Sequence, residues 1–357
     1  MDLYSKIKSL QKDINLPSDA DLQELLQKVN KILENENTHE YAKGENSLDI
    51  QEENLFEPTI YRPLNKKKSP GGLLDFSDEI TTIMVPDLHA RVDFIPTLLD
   101  FEIDAYQDNQ LKKLSVYEAL TQGLVRVICL GDGLHAERRA KDRWQQAYDD
   151  IFYLEKERSP ALDEEMAEGL TTMAMVMECK CAFPYYFHFL KGNHENITNC
   201  SEHGNMPFSK FAYEGQMCYQ FMKSNYSVPT VASYARFEKL LPVFVRGKNY
   251  LCSHAEPIRE FSLKEIQDAA LKPEVIYGLT WTGNDDSAPG TVENMLSSYL
   301  EKDDGFYFAG HRPVFSEKYN LRASGKFVQI HNPEEMNVAL IQPNKNFNPD
   351  EDIKSII

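Results

Sequence analysis

Five short apolar runs, ITTIMV, VRVICL, YYFHFL, YLC and FYFA, each lead directly into residues able to hold a metal. The runs are short and rich in β-branched and aromatic side chains, so they predict buried strands. Behind them stand Asp87 and His89 in PDLH, Asp132 in GDG, Asn193 in GNHE, His254 in SHAEP and His311 in GHRP. In open α/β sheets, ligands sit outside the carboxyl ends of strands. The pattern therefore predicts an α/β chain that gathers six donors into one crevice. Hard oxygens and imidazoles without a cysteine suit Mn²⁺, Fe or Zn²⁺ better than Mg²⁺ or Ca²⁺. Such a set reads as the centre of a two-metal hydrolase.

Charge and composition narrow the partners. The net charge of −18 argues against nucleic acid, because phosphate backbones select basic surfaces. It argues equally against docking on anionic lipid. No run of 18 apolar residues predicts a spanning helix, and MDLYSKIKSLQKD lacks the basic and apolar regions of a secretory signal. The six cysteines are scattered, with Cys129 and Cys252 inside predicted strands, which suits a reducing compartment. A cytoplasmic location is the expectation.

The 357 residues fit one large domain with appendages. Residues 1–72 are expected to form an N-terminal helical segment and a polar linker. In the helix, Ser18 caps, and Leu22, Leu25, Leu26, Val29 and Leu33 share one face. Residues 73–343 form the main domain, and 344–357 a frayed tail. Within the domain, 136–180 reads as a helical insertion, a candidate cap over the site. Its Met-rich stretch reads as core packing.

The ordered blocks DxH, GD, GNHE, a lone His and a closing GH resemble those of the calcineurin-like metallophosphoesterases. The LP-strand before His254, Trp281, and Pro313 in place of a second closing His resemble the phosphoprotein phosphatase (serine/threonine phosphatase) branch. That resemblance implies mixed β-sheets sandwiched by helices. It also implies two divalent transition-metal ions, manganese first and iron or zinc as alternatives. Asp87 and His89 would hold one ion, Asn193, His254 and His311 the other, and Asp132 would bridge them. A metal-bridging hydroxide would attack a phosphate monoester directly, with His194 as general acid. Glu195 is expected to be structural, bonding a neighbouring loop, and His331 in QIHNP is a candidate to orient a ligand.

The chain also departs from that branch. GDGLHAERR stands where the branch has GDxxDRG, so His135 replaces an acid that orients the catalytic His, and Ala136 replaces a phosphate-binding Arg. His135 is expected to orient His194 or touch phosphate, and Arg138, Arg139 and Arg312 are candidates to grip it. A phosphorylated protein or small molecule is the expected substrate. A nucleotide or dinucleotide polyphosphate is the alternative, and a catalytically silent binding scaffold a third reading.

Overall fold

Alternation along the strands decides the layers. The structure is a computed structural model that describes residues 2–36, 60–77, 80–107, 110–202, 204–301, 304–315, 317–343 and 345–357. Its strands are β1 (Ile60–Tyr61), β2 (Leu73–Phe76), β3 (Thr81–Val85), β4 (Glu102–Gln107), β5 (Gln110–Ser115), β6 (Val125–Cys129), β7 (Phe187–Phe189), β8 (Phe244–Arg246), β9 (Tyr250–Ser253), β10 (Phe306–Ala309), β11 (Asn320–Arg322), β12 (Phe327–Gln329), β13 (Asn337–Ile341) and β14 (Ile353–Ser355). One sheet runs β1-β2-β8-β9-β10-β12-β11 and the other β14-β13-β3-β6-β7, while β4 and β5 form a separate hairpin. Met84, Ile128, Cys252, Phe308 and Val328 pack together between the two sheets. Their strand neighbours point outward, Ile83, Val85, Val127 and Cys129 into one outer layer and Leu251, Tyr307, Ala309 and Phe327 into the other. The period of two thus builds a four-layer sandwich with both sheets buried on both faces.

Helices fill the outer layers. They are α1 (Leu3–Lys12), α2 (Asp19–Glu34), α3 (Phe94–Asp100), α4 (Val116–Thr121), α5 (Lys141–Tyr148), α6 (Pro160–Ala182), α7 (Glu214–Asn225), α8 (Val228–Leu240), α9 (Leu263–Gln267), α10 (Pro273–Thr280), α11 (Thr291–Tyr299) and α12 (Pro349–Asp352). The mixed α/β architecture is the one the sequence predicts. Ser18 caps α2, accepting from Asp21 N at 3.1 Å, and α2 buries its leucine face against α6 and α8. Pro17 precedes that cap and separates α1 from α2, so residues 1–34 form two helices rather than one. In α6 the methionines 166, 173, 175 and 177 are buried in the helical layer, which confirms their packing role.

Two expectations about the termini need correction. The linker reading of 35–72 fails for residues 60–72, while residues 37–59 lie outside those described. Arg62 is buried there and donates to Gly71 O at 2.8 Å, to Glu36 and to Leu240 O. The KKK run lies on a turn whose Asn65 Oδ1 accepts from Lys67 N at 2.8 Å and Ser69 N at 3.2 Å. The tail is not frayed either. Its last strand, β14, pairs antiparallel with β13, and Phe347, Ile353 and Ile356 are buried. Three apolar side chains in a polar run suffice to anchor it once a sheet edge is available.

Candidate metal centre

Each sheet contributes a parallel trio of strands. In one, β3, β6 and β7 run parallel, and in the other β9, β10 and β12 do. Asp87 and His89 follow β3, Asp132 follows β6, Asn193 follows β7, His254 follows β9, and His311 follows β10. The loops at these carboxyl ends hold unusual backbone. His89, Ala90, Asp132 and His311 all have positive φ, at 43°, 55°, 51° and 60°. Non-glycine residues adopt this region at a cost of about 1–3 kcal/mol and keep it only where surroundings force it. Gly310 allows the close approach, since a Cβ there would lie 1.8 Å from Asp87 Oδ1.

Glu195 ties the loops together. Its Oε2 accepts from Asp132 N at 3.0 Å and Gly192 N at 2.6 Å, and its Oε1 from Gly133 N at 2.9 Å. The structural role expected of it is what the structure contains. Asp132 O in turn accepts from Leu88 N and His89 N at 3.1 and 2.8 Å, so the first loop is fixed to the second.

Around this frame, lone pairs converge. His89 donates Nδ1–H to His135 O at 2.8 Å, which leaves Nε2 as its lone-pair nitrogen. That atom lies 3.7 Å from Asp87 Oδ2 and 3.9 Å from Asp132 Oδ2. His254 likewise donates Nδ1–H to Leu130 O at 2.9 Å. Its Nε2 faces Asn193 Oδ1 at 2.9 Å and Asp132 Oδ2 at 3.3 Å. His311 Nδ1 is also 2.9 Å from Asn193 Oδ1. Asp87 Oδ1 is buried with no hydrogen-bond partner among the described residues. Acceptors packed this closely repel unless a cation lies among them. The side chains form three groups able to hold a metal ion, Asp87–His89–His331, His89–Asp132–His194 and Asp132–His254–His311.

The electrostatics point the same way. Burial opposes a charge on His89, yet Glu137, Asp87 and Asp132 outweigh it and lift the imidazole to about 9. Burial also opposes a charge on His254, and Asp132 and Asp87 lift it to about 9. These two imidazoles attract positive charge, whereas burial, the largest influence there, lowers the pKa of His135, His194 and His311.

His194 stands beside the donors, its Nε2 3.7 Å from Asp132 Oδ2 and its backbone N donating to Asp132 Oδ1 at 2.9 Å. His135 turns inward, with its ring centroid 4.9 Å from that of His194. Both its ring nitrogens are buried without a partner among the described residues, and burial pushes its pKa down to about 4. Phe208, a residue outside the sequence motifs, lies on His194 with ring centroids 3.7 Å apart. Of the candidate arginines, Arg312 is exposed, and its charge helps lower the His311 imidazole, after burial and His254. Arg138 is exposed over Phe315. Arg139 points elsewhere, donating to Ala90 O at 2.9 Å and Glu168 at 2.7 Å. Two further groups lie close, one beside Asp87 and His89 and the other beside His89. They are His331, which follows β12, and Glu137, which the sequence reading passed over as part of a charged run.

No family model matches the chain, and no curated protein matches it. Solved structures similar to it include a protein serine/threonine phosphatase from Saccharomyces cerevisiae with similarity to human phosphatase PP5. It is 11% identical, with a TM-score of 0.49, covering 95% of this chain and 89% of that one. Another is the cold-active protein-tyrosine phosphatase of a psychrophilic Shewanella, 10% identical with a TM-score of 0.46, covering 79% and 82%. These likenesses are of general architecture, and the chemistry rests on the side chains above.

Proposed function

We propose that the chain is a two-metal phosphoesterase acting on phosphate monoesters, with Asp132 shared by the two ions. The observation that carries this reading is the convergence of imidazole and carboxylate lone pairs on either side of Asp132. When bound, two divalent ions lower the pKa of a water and neutralise phosphoryl oxygens. The chain's own residues do the rest. Asp87, His89, Asn193, His254 and His311 fix the ions, and Glu195 fixes the loops that carry Asp132 and Asn193. Arg312, whose charge acts on His311, meets the phosphate as it enters. His194 gives its proton to the leaving alkoxide, and the buried ring of His135 limits how far His194 can turn.

His194→Asn tests the reading. The variant should keep its metals and lose about two to four orders of magnitude in turnover on an alkyl phosphate, the usual range for general acid catalysis. The loss should be much smaller for p-nitrophenyl phosphate, whose leaving group barely needs a proton. Equal losses on both esters would reject the role of His194, and purified wild-type protein without metal or activity toward any phosphate ester would reject the whole reading.

One observation favours a nucleotide as substrate. Phe208 lies against His194, and a second aromatic cluster gathers the exposed Tyr213, Phe152 and Tyr153 around Tyr148. Base stacking on an aromatic ring contributes about 1–3 kcal/mol. Phe208→Ala should then raise KM for nucleotides more than for glycerol phosphate. Equal changes would remove nucleotides from consideration.

A further inference from the structure

The two groups of donors around Asp132 are unequal. On one side stand Asn193, His254 and His311. On the other, Asp87 and His89 have neighbours that the ligand motifs do not include. A ring nitrogen of His331 lies within 4.8 Å of the Asp87 and His89 donors. Glu137 Oε1 is 3.5 Å from His89 Nε2, and Glu137 Oε2 is 2.9 Å from His331 Nε2. His331 is fully buried, and its Nδ1 has no partner among the described residues. The rings of His89 and His331 stand 5.2 Å apart.

These spacings repeat those of the other group. Donors about 2.0–2.2 Å from one ion stand about 3–4 Å from their neighbours. The 2.9 Å separations between Asn193 Oδ1 and two imidazoles belong to that pattern. The Glu137–His331 and Glu137–His89 separations, 2.9 and 3.5 Å, fall in the same range, made here by the two different oxygens of one carboxylate. A salt bridge alone would not need His89, whose other nitrogen is already used by His135 O.

We propose that Glu137 and His331 are both protein ligands of the ion held by Asp87 and His89. The inference rests on the two-metal reading and extends it. Five protein donors, Asp87, His89, Asp132, Glu137 and His331, then surround one ion, against four for its neighbour. Three of the five are carboxylates, whereas Asp132 is the only carboxylate in the other set. The carboxylate-rich set binds its ion more tightly, so the two ions load in sequence. It also suits Mn²⁺ or Fe²⁺, which take oxygen and imidazole donors together. With five donors, an octahedral ion keeps one position for substrate or water, while its neighbour keeps two. Lys210, whose ammonium is 3.3 Å from Glu137 Oε1, holds the carboxylate from outside.

Metal binding tests this without reference to turnover. The full-length protein is stripped with a chelator and titrated calorimetrically with MnCl₂. Two phases are expected in wild type, the tighter one at the Asp87–His89 site. Glu137→Gln and His331→Asn should each raise the Kd of the tighter phase by tenfold or more and leave the weaker phase in place. His311→Asn should do the reverse. Wild-type crystals grown in MnCl₂ give a readout that no misfolded variant can confuse. An anomalous peak within about 2.5 Å of a Glu137 carboxylate oxygen and of a His331 ring nitrogen supports the proposal. Either residue farther than about 3 Å from the peak overturns it. Wild type that binds no ion overturns this proposal and the proposed function together. Two ions bound in this geometry, without hydrolysis of any phosphate ester, would sink the proposed function alone.

Discussion

Glu195→Gln is the change that most sharply tests how the centre is held. The carboxylate accepts three backbone N–H bonds, from Asp132, Gly192 and Gly133, and it is buried. A glutamine can turn its oxygen toward only one pair of these donors. Its NH₂ then faces a third N–H, so a buried donor loses its acceptor and a second donor is added with none. Leaving one buried group unsatisfied costs about 1–3 kcal/mol, and a hydrogen bond to a charged group contributes about 1.5–3 kcal/mol. The variant should therefore lose about 3 kcal/mol. At about 2.1 cal/mol/K of unfolding entropy per residue over 357 residues, the melting temperature should fall by roughly 4 °C. The same strain displaces Asp132 and Asn193, so metal affinity should drop about 10–100-fold, as for other groups that orient ligands. Urea unfolding with chelator present reads the first effect, and Mn²⁺ titration the second. A variant within about 0.5 kcal/mol of wild type, with unchanged Mn²⁺ affinity, would refute the clamp.

Further outcomes follow from other residues. Asp132→Asn removes a negative charge between the two donor groups, so elemental analysis should find fewer than two metals per chain. Two retained metals would exclude a shared ligand. His135→Ala should keep the metals and lower turnover about tenfold by loosening His194, and unchanged turnover would remove its role. The buried Glu36 is held below the usual carboxylate range, because Lys180 and Arg62 outweigh the opposing effect of burial. A depressed folded-state pKa stabilises above the unfolded value of about 4.5 and is lost as pH falls below it. Wild type should therefore lose stability more steeply than Glu36→Gln on acidification from pH 5, as read by urea midpoints, and parallel curves would reject the assignment.

What could be read from the sequence was whatever depended on chain neighbours. A ligand that follows a strand immediately is announced by that strand, and so Asp87, His89, Asp132, Asn193, His254 and His311 could be found by period and position. Glu195 was legible for the same reason, since it is two residues from Asn193. The tail was not legible. Ile353 and Ile356 sit among charges in NPDEDIKSII, and only the edge of β13 turns Ile353–Ser355 into a strand and brings Ile356 in beside it.

Glu137 and His331 show the same boundary inside the site. Glu137 opens the run ERRAKDR, which reads as the solvated face of a helix. Yet Arg138 and Arg139 point outward from the short helical turn that begins there, while Glu137 points to His89 and His331. Nothing in the local pattern separates an inward acid from the outward cations beside it. The separation comes from pairing β10 with β12 in one sheet and β3 with β6 in the other, which brings QIHNP opposite GDGLHAE across more than a hundred intervening residues. A side chain whose partners come from distant strands becomes visible only after both sheets are assembled, and this applies with most force to charged residues, whose default reading is solvent.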